Sequence, residues 1–336
     1  MEVGALMFPN PTGSADMARL VEGLGLQSLV FADTQCLTPE VWGQLMLAAS
    51  ATEKIQIGTG VTNPVSRDPA VTASSALGLQ VASKGRAVLG IGRGDSSMAK
   101  IGKRPASPEV FELYLQQLRT YLAGGEVLRD GKPSRIEWLD DHAVPPVPIE
   151  VAATGPKVIE IAARHADRIC FAVGADPERL QQCIQHARRA AEEADRDPES
   201  LRYGAYLNCV IHPDRDVARE AIRGGLSVFA HFSGFHGMDI ASLPEGARAA
   251  AEHLRHNYDM THHGQASGDH AQALEAEFIH RFGIAGPEED AVARFREIAG
   301  CGVEFARVVP GSRDMPPAVA GPSIQALARV AKELSA

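Results

Sequence analysis

The sequence lacks the features that mark several common classes of protein. Only five of its 336 residues are cysteines, an odd number, and none of them forms a CxxC pair. We therefore expect reduced thiols in a cytosolic protein rather than a disulfide framework or a cysteine zinc site. Lys and Arg number 33 against 42 Asp and Glu, which gives a net charge of −9. This balance argues against a nucleic-acid partner, although a local site can still attract an anionic cofactor.

Long apolar runs and several catalytic motifs are also missing. The apolar start of the chain, MEVGALMFPNP, is too short for a signal-peptide core or a membrane span, so we expect a buried strand there and no membrane partner. The sequence contains no GxxxxGKS/T phosphate loop, no HExxH zinc motif and no GxSxG nucleophile elbow. One segment is rich in histidines, whose spacing favours solvent-facing or lid residues over metal ligands. These are His231, His236, His253, His256, His262, His263 and His270.

Eight short apolar runs alternate with helical stretches. Near-continuous apolar runs of this length are typical of strands buried on both faces of a parallel sheet. The predicted strands span residues 3–8, 29–32, 55–58, 88–91, 149–153, 168–173, 203–211 and 305–309. The predicted helices span residues 14–24, 39–51, 69–83, 156–166, 177–194 and 323–334.

This alternation predicts an α/β fold, either an open doubly wound sheet or a closed (β/α)8 TIM barrel. The length favours the barrel, which typically needs about 250 residues before insertions. Because no linker, repeat or composition break divides the chain, we expect a single domain over residues 1–336. Insertions are expected near 124–148 and 232–276, and the stretch 231–236 within the second is either a lid beside the substrate or a surface arm.

Three glycine-containing segments follow predicted strands, where the active-site loops of a barrel lie. In GTGVTNP, residues 58–64, the glycines allow close backbone approach and small side chains leave room for a flat ring. In GIGRGDSS, residues 90–97, backbone N–H groups, Ser96 and Arg93 can hold an anion. In AATGPK, residues 152–157, Thr154 suits the cap and Pro156 the first turn of a helix whose open N–H groups favour an anion. The alternatives are two ordinary turns and an ordinary capped helix.

Asp33 ends the second predicted strand. A carboxylate at this position can hydrogen-bond a cofactor or transfer a proton. It can equally cap the helix that follows, so the sequence alone leaves its role open.

These motifs together resemble a known family. GTGVTNP, followed by RDPAVTA at residues 67–73, is similar to the third-strand segment of luciferase-like proteins, most closely the methylenetetrahydromethanopterin reductase group. GIGRGDS at 90–96, ATGPKVIEIAARHADRI at 153–169 and FGIAGPEED at 282–290 follow in the order of that family. The resemblance covers nearly the whole chain.

The resemblance implies a (β/α)8 barrel, often a homodimer, that binds the deazaflavin coenzyme F420 or FMN. It implies a cis peptide bond between Gly60 and Val61 behind the cofactor ring, and Asp33 near the ring as the catalytic candidate. Some relatives place a histidine after this acid; here the residue is Thr34, so their proton transfer does not carry over. The cofactor-binding residues implied are Asp33, Gly60, Val61, Thr62, Asn63, Gly94, Asp95, Ser96, Ala153, Thr154, Gly155 and Pro156.

The function implied is hydride transfer between coenzyme F420 and a small organic substrate. Two alternatives remain open at this stage. One is an FMN-dependent monooxygenase, and the other is a barrel that binds a flavin without catalysing a reaction.

Overall fold

Eight parallel strands close into a barrel in the computed structural model, which describes residues 1–233 and 245–335. The strands are β1 (Glu2–Met7), β2 (Ser28–Phe31), β3 (Gln56–Thr59), β4 (Ala87–Ile91), β5 (Val127–Arg129), β6 (Lys132–Ser134), β7 (Ile149–Ala153), β8 (Arg168–Phe171), β9 (Arg202–Ile211), β10 (Ile284–Gly286) and β11 (Phe305–Val309). The barrel runs in the order β1, β2, β3, β4, β7, β8, β9 and β11, and β11 pairs again with β1. The predicted TIM barrel is confirmed, and each predicted strand ends within two residues of an observed one.

A ring of helices surrounds the barrel. The helices are α1 (Ser14–Gly23), α2 (Val41–Ala51), α3 (Pro69–Ala82), α4 (Ser96–Ala99), α5 (Pro108–Leu122), α6 (Pro156–His165), α7 (Pro177–Glu192), α8 (Arg215–Ser233), α9 (Glu245–Asn257), α10 (Asp269–Gln272), α11 (Ala276–Phe282), α12 (Glu288–Gly300) and α13 (Pro317–Ser335). Eight of them return the chain after the eight barrel strands, namely α1, α2, α3, α5, α6, α7, α12 and α13.

Local sequence explains where several helices begin. The Asp68 carboxylate accepts a hydrogen bond from the Ala70 N–H at 2.9 Å, and Pro69 takes the first position of α3. The predicted start of the last helix, residue 323, is wrong, since α13 begins at Pro317. Residues 317–322 contain two prolines and a glycine, residue types that disfavour a helix interior. A proline at the first helical position loses no hydrogen bond, because an N–H group there would have no partner within the helix.

A cap, described over residues 212–233 and 245–283, lies between the end of β9 and the start of β10. Its described helices α8–α11 share an apolar core of their own, which includes Leu226, Leu254 and Phe278. The insertion predicted near 232–276 is therefore wider than expected, because α8 belongs to it and α12 is the helix that returns to the barrel. The other predicted insertion, near 124–148, contains the antiparallel hairpin β5–β6.

The described residues were compared with the requirements for a membrane-spanning helix, a metal site and a disulfide bond. None of their helices is long and apolar enough to cross a membrane. Within the same residues no three His, Cys, Asp or Glu side chains are arranged to hold a metal ion. The five cysteines are free thiols.

A buried ion pair crosses the barrel interior. Arg307 on β11 donates to both carboxylate oxygens of Glu150 on β7, at 3.0 and 2.6 Å, and the two side chains are 2% and 0% exposed. Arg307 also donates to Ser28 and Gln56, so the guanidinium joins four barrel strands. Burial opposes its charge, but the neighbouring Glu150 carboxylate raises the pKa of Arg307 well above its ordinary value.

Candidate active site

Among the cavities of the described residues, two lie at opposite ends of the barrel. The larger, about 710 Å³, is bordered by residues that begin strands, such as Ile149, Arg168 and Arg202. The smaller, about 260 Å³, is bordered by residues that follow strand ends and by the cap. Because active sites of TIM barrels lie at the carboxyl ends of the strands, the smaller cavity is the candidate active site despite its size.

The segment after β3 forms one wall of this cavity. Gly60 and Val61 border it, and the peptide bond between them is cis, which confirms the prediction. A Cβ atom on Gly60 would lie 2.6 Å from Val30 Cγ2, so only glycine fits there. Thr62 and Asn63 do not border the cavity; they are buried behind it. The Asn63 carboxamide oxygen accepts hydrogen bonds from the backbone N–H groups of Val65 and Ser66, at 3.0 and 2.9 Å, and so holds the loop in place.

The loop after β4 forms the rim of the cavity. Gly94, Asp95 and Ser96, three of the predicted cofactor-binding residues, border it together with Arg93. Gly94 has φ +89°, a left-handed conformation that favours glycine, and a Cβ atom there would approach Met98 Cγ to 2.9 Å. The Asp95 carbonyl oxygen accepts hydrogen bonds from two N–H groups of the short helix α4.

The predicted residues after β7 divide between the cavity and its surroundings. Thr154 borders the cavity, whereas Ala153 is buried on the other side of the strand and Ala152 borders the cavity in its place. Side chains of a strand alternate between its two faces, which explains the shift by one residue. Gly155 and Pro156 lie just outside the cavity lining.

The start of α6 differs from the prediction. The residue at its N-cap is Gly155, without a capping side chain, so the expected cap role of Thr154 is wrong. Pro156 occupies the first turn as expected. A helix end without a capping side chain leaves backbone donors for a ligand.

Asp33 borders the cavity but is held by neighbouring side chains. It is 4% exposed, forms an ion pair with Arg67, and accepts a hydrogen bond from Thr62 Oγ1 at 2.7 Å. Arg67 also reaches Glu40 at 3.0 Å, and Glu40 rather than Asp33 caps α2. Burial lowers the pKa of Arg67, but the hydrogen bond and charge of Asp33, with those of Glu40, raise it above its ordinary value. Asp33 is thus a fixed carboxylate with a permanent counter-charge.

Sequence reasoning missed the wall opposite Gly60 and Val61. That wall consists of Tyr206 from β9, Val228 and Phe229 from α8, and His263 from the cap. Leu6 and Phe8, at alternate positions in and after β1, complete the floor. In sequence these apolar residues look like ordinary core, and the alternation of β1 and β9 is the signal that could have found Leu6, Phe8 and Tyr206.

The described part of the histidine-rich segment contributes His263 to the cavity. His231 lies in α8 and stacks on Tyr258 with ring centres 4.0 Å apart, without bordering the cavity. The rest of the predicted lid stretch, 232–236, lies outside the described residues, apart from the backbone of the last turn of α8. His263 and His270 are buried rather than solvent-facing, and His262 is exposed.

Known sequences and solved structures both include proteins that are similar to this chain over most of its length. The 5,10-methylenetetrahydromethanopterin reductase of Methanolobus tindarius is 28% identical over 310 residues, which cover 89% of each chain. Among solved structures, the coenzyme F420-dependent tetrahydromethanopterin reductase of Methanopyrus kandleri superposes with a TM-score of 0.73 at 23% identity, covering 98% of this chain and 97% of that one. An F420-dependent secondary alcohol dehydrogenase in complex with an F420-acetone adduct superposes with a TM-score of 0.75 at 19% identity and the same coverage.

A family model also matches most of the chain. The model described as luciferase-like monooxygenase matches residues 4–304, which run from within β1 to the residue before β11. The family resemblance inferred from the motifs is therefore confirmed, and this chain belongs to the luciferase-like monooxygenase family.

Proposed function

We propose that this protein is an oxidoreductase that transfers a hydride between coenzyme F420 and a small organic substrate. One observation carries the proposal: the Gly60–Val61 wall and the glycine-rich rim meet at one cavity, in a chain similar over 89% of its length to a methylenetetrahydromethanopterin reductase. The F420-dependent enzymes among the structures of the same fold support the same cofactor.

The cavity fits a flat ring carrying an anionic tail. Its depth is lined by small or apolar side chains, including Ala32, Val61, Ala152 and Ala172. A Cβ atom on Gly92 would lie 3.1 Å from Val61 Cγ2, so the absence of a side chain there keeps the space open. Coenzyme F420, when bound, supplies the carbon that accepts or donates the hydride. The chain's part is to orient the reactants and keep water away from them.

We assign the phosphate-bearing tail to the rim. Gly94, Ser96 and Thr154 offer backbone N–H groups and two hydroxyl donors, and the N-terminus of α6 adds a dipole end worth about 0.3–1 kcal/mol. Asp95 would repel phosphate, so we assign it to shaping the loop. The supporting positions are Ala153, Gly155 and Pro156 after β7, and Thr62 and Asn63 behind the ring wall.

Asp33 lies where it would meet the edge of the ring. Because Arg67 and Thr62 hold its carboxylate in place, we propose that it orients the ring by hydrogen bonding.

An FMN-dependent monooxygenase is the second candidate, and the description of the matching family favours it. Titration of the purified apoprotein with coenzyme F420 and with FMN, followed by absorbance and fluorescence, separates the two. We expect tight binding of F420 and weak binding of FMN. The reverse order would replace our proposal by the monooxygenase, and F420 binding without hydride transfer to any acceptor would leave a non-catalytic barrel.

We also propose that the protein is a homodimer. Exposed apolar side chains on three adjacent helices provide a surface for a second copy, namely Leu20 on α1, Leu47 on α2 and Val71 on α3. Light scattering on purified protein should give twice the mass of one chain; a monomer at micromolar concentration would contradict this.

A further inference from the structure

The larger cavity, at the amino-terminal end of the barrel strands, has no part in the proposed function. We call it the amino-terminal cavity; its volume of about 710 Å³ is within the range of small-molecule sites. Part of its wall is the segment 142–148, HAVPPVP, which Gln80 holds in place by donating to the Pro145 and Pro146 carbonyls at 2.9 and 3.2 Å. The larger apolar side chains of the wall are Leu77, Leu122, Leu139 and Val147.

Three arginines border the amino-terminal cavity, and two of them are paired with carboxylates. Arg119 forms an ion pair with Asp167 at 3.0 Å. Arg202 forms ion pairs with two carboxylates, at 3.1 and 3.2 Å. The third, Arg168, has no ion pair with any residue that the structure describes. It is therefore the cation of this wall whose charge is left for a ligand.

The guanidinium of Arg168 has donors to spare although it is buried. The residue is 9% exposed, and its guanidinium carbon lies 5.9 Å from the centre of the Phe305 ring on β11. Its Nη1 donates to Gln56 Oε1 on β3 at 2.7 Å, and within the described chain the guanidinium makes no second hydrogen bond. Gln56 borders a neighbouring cavity of about 500 Å³, and Arg202 borders both cavities, so Arg168 lies where the two meet.

The surroundings compensate the charge of Arg168 poorly. Burial is the largest effect and lowers the pKa of Arg168, while the Glu150 carboxylate acts in the opposite direction. The charges of Arg307 and Arg202 lower the pKa further. Glu150 already accepts two hydrogen bonds from Arg307. An anion in the amino-terminal cavity would therefore receive charge-assisted hydrogen bonds from a cation that has lost much of its hydration.

We propose that the amino-terminal cavity is a second binding site, separate from the proposed active site, for an organic monocarboxylate with an apolar body. The carboxylate accepts hydrogen bonds from Arg168, whose planar guanidinium matches its geometry. The apolar body lies against the wall formed by Leu77, Leu122 and the segment 142–148. Asp167 borders the same cavity and disfavours a second negative charge on the ligand.

Isothermal titration calorimetry of the full-length protein tests the site, with octanoate and 4-phenylbutanoate as probes. We expect one molecule of at least one of these carboxylates to bind per chain, and the tighter of them shows whether the body is an alkyl chain or a ring. Octan-1-ol, which lacks the charge, and acetate, which lacks the apolar body, should bind at least about 10-fold more weakly. No binding of either probe, or equal affinity for octan-1-ol, would overturn the proposal.

Substitutions locate the bound probe. Arg168→Met should weaken the binding of the tighter probe at least about 10-fold. The matched control is Arg188→Met, which removes an exposed ion pair outside the cavity and should retain parental affinity. Ala123→Trp places a large side chain in the cavity from an exposed position at the end of α5, so it should weaken binding while preserving the fold, measured by circular dichroism. Parental affinity in Ala123→Trp, or in folded Arg168→Met, would contradict the proposal.

The fluorescence of Trp138 gives a second readout. Its indole packs edge-on against the ring of His142, which borders the cavity, with ring centres 5.7 Å apart. Binding of the probe should therefore change the tryptophan emission of the parent protein. Trp138→Phe should remove this change and keep the heat of binding. A change that persists in Trp138→Phe would place the probe elsewhere on the chain and would also overturn the proposal.

Discussion

At the scale of single residues, neighbours in sequence have different surroundings. Ala153 and Thr154 are adjacent, but only Thr154 borders the cavity, because side chains of a strand alternate. Asp33 and Glu40 are both carboxylates near the same arginine, but Glu40 caps α2 and Asp33 faces the cavity. Asp33, the carboxylate predicted to be catalytic, is held in place by Arg67 and Thr62.

Replacing Thr154 by valine should weaken the binding of the cofactor's phosphate tail. The change keeps the shape of the side chain and removes one hydroxyl donor that faces the cavity. A hydrogen bond to a charged group contributes about 1.5–3 kcal/mol, so we expect the F420 dissociation constant of Thr154→Val to rise at least about 10-fold. Fluorescence titration measures it. A deazaflavin without the phosphate-bearing tail is the control, and an equal loss for this ligand would contradict our assignment of the tail.

At the scale of elements, the cap contains several imidazoles around one phenol. His231, His263 and His270 surround Tyr258, and burial is the largest cause of the lowered pKa of each histidine. A histidine whose pKa is lower in the folded than in the unfolded protein takes up its proton preferentially when the protein unfolds. Acid therefore favours unfolding of the cap.

We predict that the cap loses stability as the pH falls from about 6.5 to about 4. The unfolded pKa of histidine is about 6.5 and that of folded His263 is about 4, so this residue alone accounts for about 3 kcal/mol across the window. The hydrogen-exchange protection factors of residues 245–283, which correct for the intrinsic exchange rate at each pH, should fall in this range before those of the barrel strands. His263→Gln should flatten the pH dependence, and exposed His262→Asn should not. Equal protection of the cap at pH 7 and pH 4.5 would disprove the prediction.

The strands were easier to predict than the helices, for a physical reason. Strands buried on both faces are apolar throughout, so each appears in the sequence as a continuous run of apolar residues. Helices α5, α8 and α12 bury only one face, so their apolar residues are interrupted by polar ones, and none of the three was predicted. The paired glycines of α8 disfavour a helix by propensity. In the fold a Cβ atom on Gly224 would lie 2.5 Å from the backbone of Gln265, so the glycine is there for close packing.

The candidate site was predictable only on one side. The β3, β4 and β7 segments carry glycines and polar residues in family order, whereas Phe229 and His263 reach the cavity through the tertiary fold of the cap. His263 lies about sixty positions beyond the start of β9. No local pattern in the sequence reveals that it faces β3 across the barrel. That placement follows from the order of the strands around the closed barrel.

At the scale of the whole molecule, closure of the barrel depends on more than apolar burial. Glu150 and Arg307 belong to strands that look apolar in sequence, and they are separated by 157 residues along the chain. Their pairing is set by closure of the barrel, which places β7 and β11 three strands apart around a shared interior. A sequence pattern shows that two charged residues lie in buried strands, but not that each is the partner of the other.

Removal of Arg307 should therefore destabilise the whole barrel. Arg307→Met leaves the fully buried Glu150 carboxylate without its two hydrogen bonds and its counter-charge, and also removes the donor to Ser28 on β2. Breaking a buried ion pair in this way costs about 3–5 kcal/mol, measured as the free energy of unfolding in urea. The matched control is Arg329→Met, which removes an exposed pair with Glu288 and should cost less than about 1 kcal/mol. Because the large loss comes from the unpaired charge, the double variant Arg307→Met/Glu150→Leu should recover most of it. A double variant as unstable as Arg307→Met would show instead that the guanidinium stabilises the barrel through its other contacts.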